Sequence, residues 1–211
     1  KNKTALILES EKTVSYFDLA CICKDIYSWI QKRCLVVILC ENELGALASY
    51  ISCIQNRVVP ILLDAKIDKG LLHNIIEVYK PDYVICKDSC HDDLGKNIYS
   101  FCLDVCPYKV VKTQYTNAYK LHDDLALLLS TSGSTGSPKF VRLSYKNLSS
   151  NTASIIEYLK ITQKDVAITS LPMNYTYGLS VINTHLEAGA SIVLTNSSLM
   201  QKEFWNLFDT C

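Results

Sequence analysis

The chain has 211 residues, 49% of them hydrophobic and 20% charged, with basic and acidic side chains balanced at 21 each. That is enough apolar material for one larger globular domain, and it leaves no basic surplus to hold nucleic acid and no acidic tail. The longest apolar runs, such as residues 35–40, are far too short to span a bilayer, and residues 1–8 lack the length and cleavage site of a secretory signal. A cytoplasmic protein without a membrane span or a nucleic-acid partner is expected.

In chain order, Ser15 with Asp18 three residues on reads as a helix N-cap. It precedes an apolar stripe at Leu19, Ile22, Ile26, Trp29 and Ile30. A continuous apolar strand follows at 35–40. A second helix is marked by Leu44, Leu47, Ala48, Ile51 and Ile54, and a second strand by 58–63. Leu71, Leu72, Ile75, Ile76 and Tyr79 mark a third helix, ended before Pro81, and 83–86 a third strand. Short continuous apolar runs alternating with helices imply a parallel sheet covered on both faces, an α/β fold.

Residues 87–120 are polar with apolar bursts at 98–103 and 109–112, and are expected to connect two layers. The alternation then resumes: a strand entering at Leu125, a second strand from Phe140, a helix at 145–159, a strand at 166–170, a helix at about 178–187, a strand at 191–195 and an amphipathic piece around Phe204, Trp205 and Phe208.

The segment between the strands at 125 and 140 carries the chemistry. Thr131, Ser132, Gly133, Ser134, Thr135, Gly136, Ser137, Pro138 and Lys139 supply hydroxyls, two glycines and one cation. Small residues let backbone N–H groups approach a ligand, hydroxyls donate to anionic oxygens, and successive N–H groups in a turn form a concave anion site. The phosphate chain of a nucleotide fits that set. A P-loop does not: Gly133 and Gly136 are three apart, Pro138 removes a donor beside the lysine, and a strand follows in place of a helix.

Ten cysteines need weighing. Cys21, Cys23, Cys34, Cys40 and Cys53 fall within apolar periodic segments and are expected to be buried, reduced thiols. Cys86, Cys90, Cys102 and Cys106 form two C-x3-C pairs without a zinc-knuckle context, and no metal ligand is assigned. His73, His91, His122 and His185 have no partner spacing for a triad or a metal.

The stretch 131–139 resembles the phosphate-loop signature of adenylate-forming enzymes: acyl-CoA synthetases, aryl-acid ligases, luciferases and nonribosomal peptide adenylation domains. Leu171-Pro172-Met173-Asn174-Tyr175-Thr176-Tyr177-Gly178-Leu179, followed by Leu186-Glu187-Ala188-Gly189-Ala190 and 191–194, resembles that family's next motif, which lines the carboxylate pocket. A looser match covers 14–19, 36–39 and 58–64, so the resemblance extends over nearly the whole chain.

The resemblance implies a layered αβαβα N-terminal domain of mostly parallel sheets flanked by helices. Within it, residues 1–120 would form a first layer with its connector, and 121–211 a second layer bearing the phosphate loop. It implies ATP-dependent activation of a carboxylic acid to an acyl-adenylate with release of pyrophosphate, then transfer to a thiol of coenzyme A or of an acyl or peptidyl carrier protein. Thr131, Ser132, Gly133, Ser134, Thr135, Gly136 and Lys139 would bind the phosphates, with Thr135 and Lys139 offsetting charge on the leaving group. Asn174, Tyr175, Tyr177 and Gly178 would line the acid pocket.

Two positions depart from the pattern. Phe140 stands where a glycine usually follows the loop lysine, which should alter packing beneath the loop. Asn174 and Tyr175 stand where an aromatic and a histidine often gate the pocket. Tyr175 can gate or orient an acid, although Tyr175 and Tyr177 also fit ordinary half-buried tyrosines.

The family's adenine- and magnesium-binding motif, ribose-binding aspartate, hinge and late lysine normally lie beyond the second motif. A fragment lacking the C-terminal lid domain, with its magnesium ligands elsewhere and inactive alone, is therefore expected. A non-catalytic nucleotide- or acyl-binding module derived from the same fold is the alternative.

Overall fold

The structure, a computed structural model, describes residues 3–89, 94, 96–103, 106–116, 118–130 and 139–210. Elements run in the order β1 (Thr4–Ile7), β2 (Thr13–Ser15), α1 (Tyr16–Ile30), β3 (Leu35–Cys40), α2 (Leu44–Gln55), β4 (Val59–Asp64), α3 (Lys69–Tyr79) and β5 (Tyr83–Lys87). Then follow β6 (Lys96–Leu103), β7 (Cys106–Lys112), β8 (Leu125–Ser130), β9 (Phe140–Ser144), α4 (Tyr145–Leu159), β10 (Val166–Ile168), α5 (Thr176–Glu187), β11 (Ser191–Val193) and α6 (Lys202–Thr210).

Two sheets form among the described residues. One has seven strands in the order β6-β7-β5-β3-β4-β8-β9, the other four in the order β10-β11-β1-β2. The centre of the larger sheet, β5-β3-β4-β8, is parallel throughout, with Ile38 opposite Leu62 and Ile85, and Leu62 opposite Leu129. This is the α/β architecture the alternation predicts. Each sheet draws strands from both sides of residue 120, since β8 and β9 pair with the early strands and β1 lies beside β11.

Continuous apolar strands form because both faces of the larger sheet are covered. Val36, Ile38 and Cys40 face one core, shared with α1, α2, Leu6 and Ile192. Leu35, Val37 and Leu39 face the other, shared with Leu72, Ile75 and Ile76 of α3. Helix starts are set by local hydrogen bonds. Ser15 Oγ accepts from Asp18 N–H at 3.1 Å while Ser15 N–H donates to Asp18 Oδ2 at 3.3 Å. Ser144 and Asn147 repeat the reciprocal pair at the start of α4, at 3.1 and 3.0 Å.

Three expectations are corrected. The stretch 87–120, read as a connector, contains β6 and β7, an antiparallel pair that extends the sheet beyond β5. Residues 108–111 of β7 are buried in succession, as befits a strand with neighbours on both sides, and Lys109 among them interrupts the apolar run in sequence. Helix α5 starts at Thr176, so Tyr177 and Gly178 lie in its first turn. Cys21 is exposed on the outer side of α1, whereas Cys23, Cys34, Cys40 and Cys53 are buried.

Close packing between α2 and the added strand rests on Gly45. A Cβ there would stand 2.3 Å from Cδ2 of Tyr108, whose ring is fully buried. Gly45→Ala should lower stability by about 1–3 kcal/mol through overpacking. A lower urea midpoint with unchanged slope is the expected measurement.

Candidate active site

Parallel α/β sheets bind ligands beyond the carboxyl ends of their strands. Strands β3, β4, β5 and β8 all end on the same edge of the larger sheet, so this is the edge to inspect. Ser130, the last residue of β8, pairs with Phe140, the first of β9. Strands β8 and β9 are thus an antiparallel pair that meets that edge at Ser130 and Phe140. Thr131, Ser132, Gly133, Ser134, Thr135 and Gly136 lie outside the described residues, while Lys139 is described and exposed. Phe140, in the place of the expected glycine, packs its ring edge-on against Tyr79 of α3 with centroids 4.9 Å apart. That contact ties the start of β9 to α3.

The second motif reaches the same edge by another route. Asn174 is 3% exposed and its Oδ1 has no hydrogen-bond partner among the described residues. Tyr175 is the N-cap of α5 without a side-chain cap bond, and is 49% exposed. Tyr177 is 69% exposed. Gly178 is buried against the preceding turn, where an added Cβ would lie 2.3 Å from Pro172 O. A cavity of about 490 Å³ lies between α4 and α5, and Lys139, Asn174, Tyr175, Tyr177 and Gly178 are not among its lining residues. Leu129, the penultimate residue of β8, lines it together with Thr176 and Leu179 of α5 and Asn151 of α4. A larger cavity, about 830 Å³, runs between α4 and the α1–α2 pair, and Leu186 and Glu187 from the second motif line it.

A polar junction joins the two sheets beside this edge. Lys87 at the end of β5 pairs with Glu43 at 2.6 Å and with Glu41. Partial burial would lower its ammonium, but the hydrogen bonds to Glu41 and Glu43 outweigh this and hold it above the ordinary lysine range. Asn196, beyond β11, donates from Nδ2 to Glu43 Oε1 at 3.0 Å, and its N–H donates to Glu9 Oε1 at 2.9 Å. Asn42 completes the junction and touches the second motif directly. The sequence reading missed Asn42, Asn196 and Glu9. The available signal was a run of polar residues, Glu41-Asn42-Glu43, directly after a buried strand.

Two tyrosines brace α5. Tyr16 Oη donates to Ala190 O at 2.6 Å, and burial pushes its hydroxyl up to about 12. Tyr50 Oη donates to Asn183 Oδ1 at 2.9 Å.

Residues 1–210 match the family described as AMP-binding enzyme, and the chain belongs to that family. It is 25% identical over 199 residues to a 2-succinylbenzoate–CoA ligase of Bacillus velezensis, an alignment covering 91% of this chain and 41% of that protein. Over a shorter stretch of 73 residues it is 40% identical to an oxalate–CoA ligase of Arabidopsis thaliana, covering 34% of this chain and 14% of that one.

The fold is similar to that of O-succinylbenzoate coenzyme A synthetase from Bacillus subtilis in complex with ATP and magnesium ion. The TM-score is 0.75 at 21% identity, covering 99% of this chain and 57% of the other. The chain thus spans about two fifths of the length of the first of these ligases. Its similarity is to adenylate-forming, acyl-CoA synthetase-like ligases. Among the described residues no helix is long and apolar enough to cross a membrane.

Of the four cysteines considered for metal, Cys90 lies outside the described residues, and Cys86 is buried in β5. Among the described residues no group of three or more His, Cys, Asp or Glu is arranged to hold an ion. Burial pushes the thiols of Cys23 and Cys34 up to about 12, which keeps them protonated and unreactive. Brief iodoacetamide treatment of the native protein at pH 8, followed by peptide mass mapping, should label Cys21. Cys23, Cys34, Cys40, Cys53 and Cys86 should label only after denaturation.

Proposed function

We propose that this chain forms the front part of the large N-terminal domain of an enzyme that activates a carboxylic acid with ATP. The products are an acyl-adenylate and pyrophosphate, and the acyl group then passes to a thiol of coenzyme A or of a carrier protein. The observation that carries this reading is the hairpin pairing Ser130 with Phe140 at the carboxyl edge of the parallel sheet. A hydroxyl- and glycine-rich segment that joins these two strands, with Lys139 next to Phe140, suits the edge at which α/β sheets bind ligands. The cavity shared by Leu129 and Thr176 supports an acid bound next to that segment.

The donor set fits a triphosphate. Ser132, Ser134 and Thr135 offer hydroxyl and backbone donors, Gly133 and Gly136 permit the backbone to wrap, and Lys139 supplies a compact positive charge. ATP brings the phosphoryl group on which the acid is activated. Thr135 and Lys139 hold the leaving pyrophosphate as its charge grows. Asn174, Tyr175, Tyr177 and Gly178 form the wall against which the acid is oriented. No side chain acts as a covalent nucleophile in this scheme, so the protein's contribution is positioning and electrostatic stabilisation. Relatives whose names include CoA ligases and a nonribosomal peptide synthetase support both kinds of thiol acceptor equally.

Carboxylate-dependent ATP–pyrophosphate exchange by the intact polypeptide, run across a panel of acids, tests this. Lys139→Ala and Thr135→Ala should each lower the rate about 10²–10³-fold, the cost of losing one preorganised donor at developing charge. Exchange indifferent to both substitutions would reject the loop assignment. ATP binding without exchange for any acid would favour a non-catalytic nucleotide-binding module.

A further inference from the structure

The segment carrying the substrate motif, 171–175, is neither strand nor helix, yet it is held on two sides. On one side stands Asn42, 7% exposed, two residues past the end of β3. Its Nδ2 donates to Leu171 O at 3.1 Å and its Oδ1 accepts from Met173 N–H at 3.1 Å. One planar amide thus bridges the backbone around Pro172, which has no N–H of its own to offer.

Asn42 is itself fixed. Its N–H donates to Asn196 Oδ1 at 2.8 Å, and Asn196 is tied to Glu43 and Glu9. On the other side, Pro172 O accepts from Tyr175 N–H at 3.2 Å and presses on Gly178, where no side chain fits. Between these two grips Met173 is wholly buried and Asn174 nearly so, while Tyr175 stands half exposed at the head of α5.

We propose that Asn42 is a positioning residue for acid recognition: its two bonds to the backbone of Leu171 and Met173 set where Asn174 and Tyr175 stand against the bound acid. This rests on the reading of 174–178 as the acid-binding wall. The grip is matched to its task. A side-chain amide supplies one donor and one acceptor in a plane, as two backbone groups flanking a proline require. Asp would keep the acceptor for Met173 N–H and lose the donor to Leu171 O, and Ala would lose both. Buried backbone groups left unpaired would then seek other partners, and the segment would move.

The test uses the intact polypeptide as wild type, Asn42→Ala, Asn42→Asp and Tyr175→Ala. Hydrogen exchange followed by peptide mapping reports on residues 171–178, and pyrophosphate exchange reports KM for acid and for ATP separately. Asn42→Ala should speed amide exchange in that segment. It should also raise the acid KM about tenfold or more with the ATP KM within about twofold, since displacement of a positioning group by an ångström is costly. Asn42→Asp should fall between wild type and Asn42→Ala in both readouts, and it decides the matter if Asn42→Ala does not fold.

Unchanged amide exchange, an unchanged acid KM, or both KM values rising together would overturn the role of Asn42. A wild type sensitive to Tyr175→Ala but indifferent to Asn42→Asp overturns that role alone. A wild type without acid-dependent exchange overturns the functional reading beneath it.

Discussion

Strands β3 and β4, buried on both faces, constrain everything else in this molecule. Successive residues of β3 alternate between the core under α1 and α2 and the core under α3, so no position along the strand can carry a polar group. Polar chemistry is therefore displaced to the edge where the strands end. The first residues past β3 are Glu41, Asn42 and Glu43, β5 ends in Lys87, and β8 ends in Ser130 at the same edge. Pairing β8 with β4 in parallel register is what brings Ser130, and Phe140 opposite it, there.

The junction of charged and amide side chains serves a second purpose. Two sheets that share one core through α1, α2 and α5 need a fixed relation at their open edge if residues from both are to form one site. Glu9 follows β1, Asn196 follows β11, Glu43 follows β3 and Lys87 ends β5, so a single network touches both sheets. Bonds to charged groups are stronger than neutral ones, and this network is only partly exposed, which limits screening by solvent. A loop held by such a network can present a ligand wall without regular secondary structure of its own.

Much of the fold was legible in the sequence. The run 35–40 matches β3 because a strand buried on both faces reads as uninterrupted apolar residues. The Ser15–Asp18 cap was visible because a capping box is a local sequence feature. Strands β6 and β7 were not legible: polar residues interrupt both, and β7 joins the sheet through a pairing with β5 that no local pattern reveals, with β6 paired to β7 in turn. The start of α5 was placed late because Tyr175, an aromatic without a cap bond, gives no N-terminal signal. Of the candidate site, the flanking strands β8 and β9 were readable from their apolar and alternating patterns. Asn42 was invisible because nothing local in Glu41-Asn42-Glu43 reveals a partner 129 residues away at Leu171.

The exposed tyrosines at the head of α5 distinguish this chain from a generic acid pocket. Tyr175 and Tyr177 carry polar tips on apolar rings, and the Tyr175 N–H donates to Pro172 O in the turn beneath them. The account's central claim is that the turn 131–139 holds the triphosphate of ATP, and an experimental structure of the intact polypeptide with ATP and magnesium tests it most directly. The phosphates are expected in the mouth of that hairpin, with Lys139 and the backbone N–H groups of 132–136 turned toward them. Phosphate density at any other place, with the hairpin carrying none, would contradict the claim.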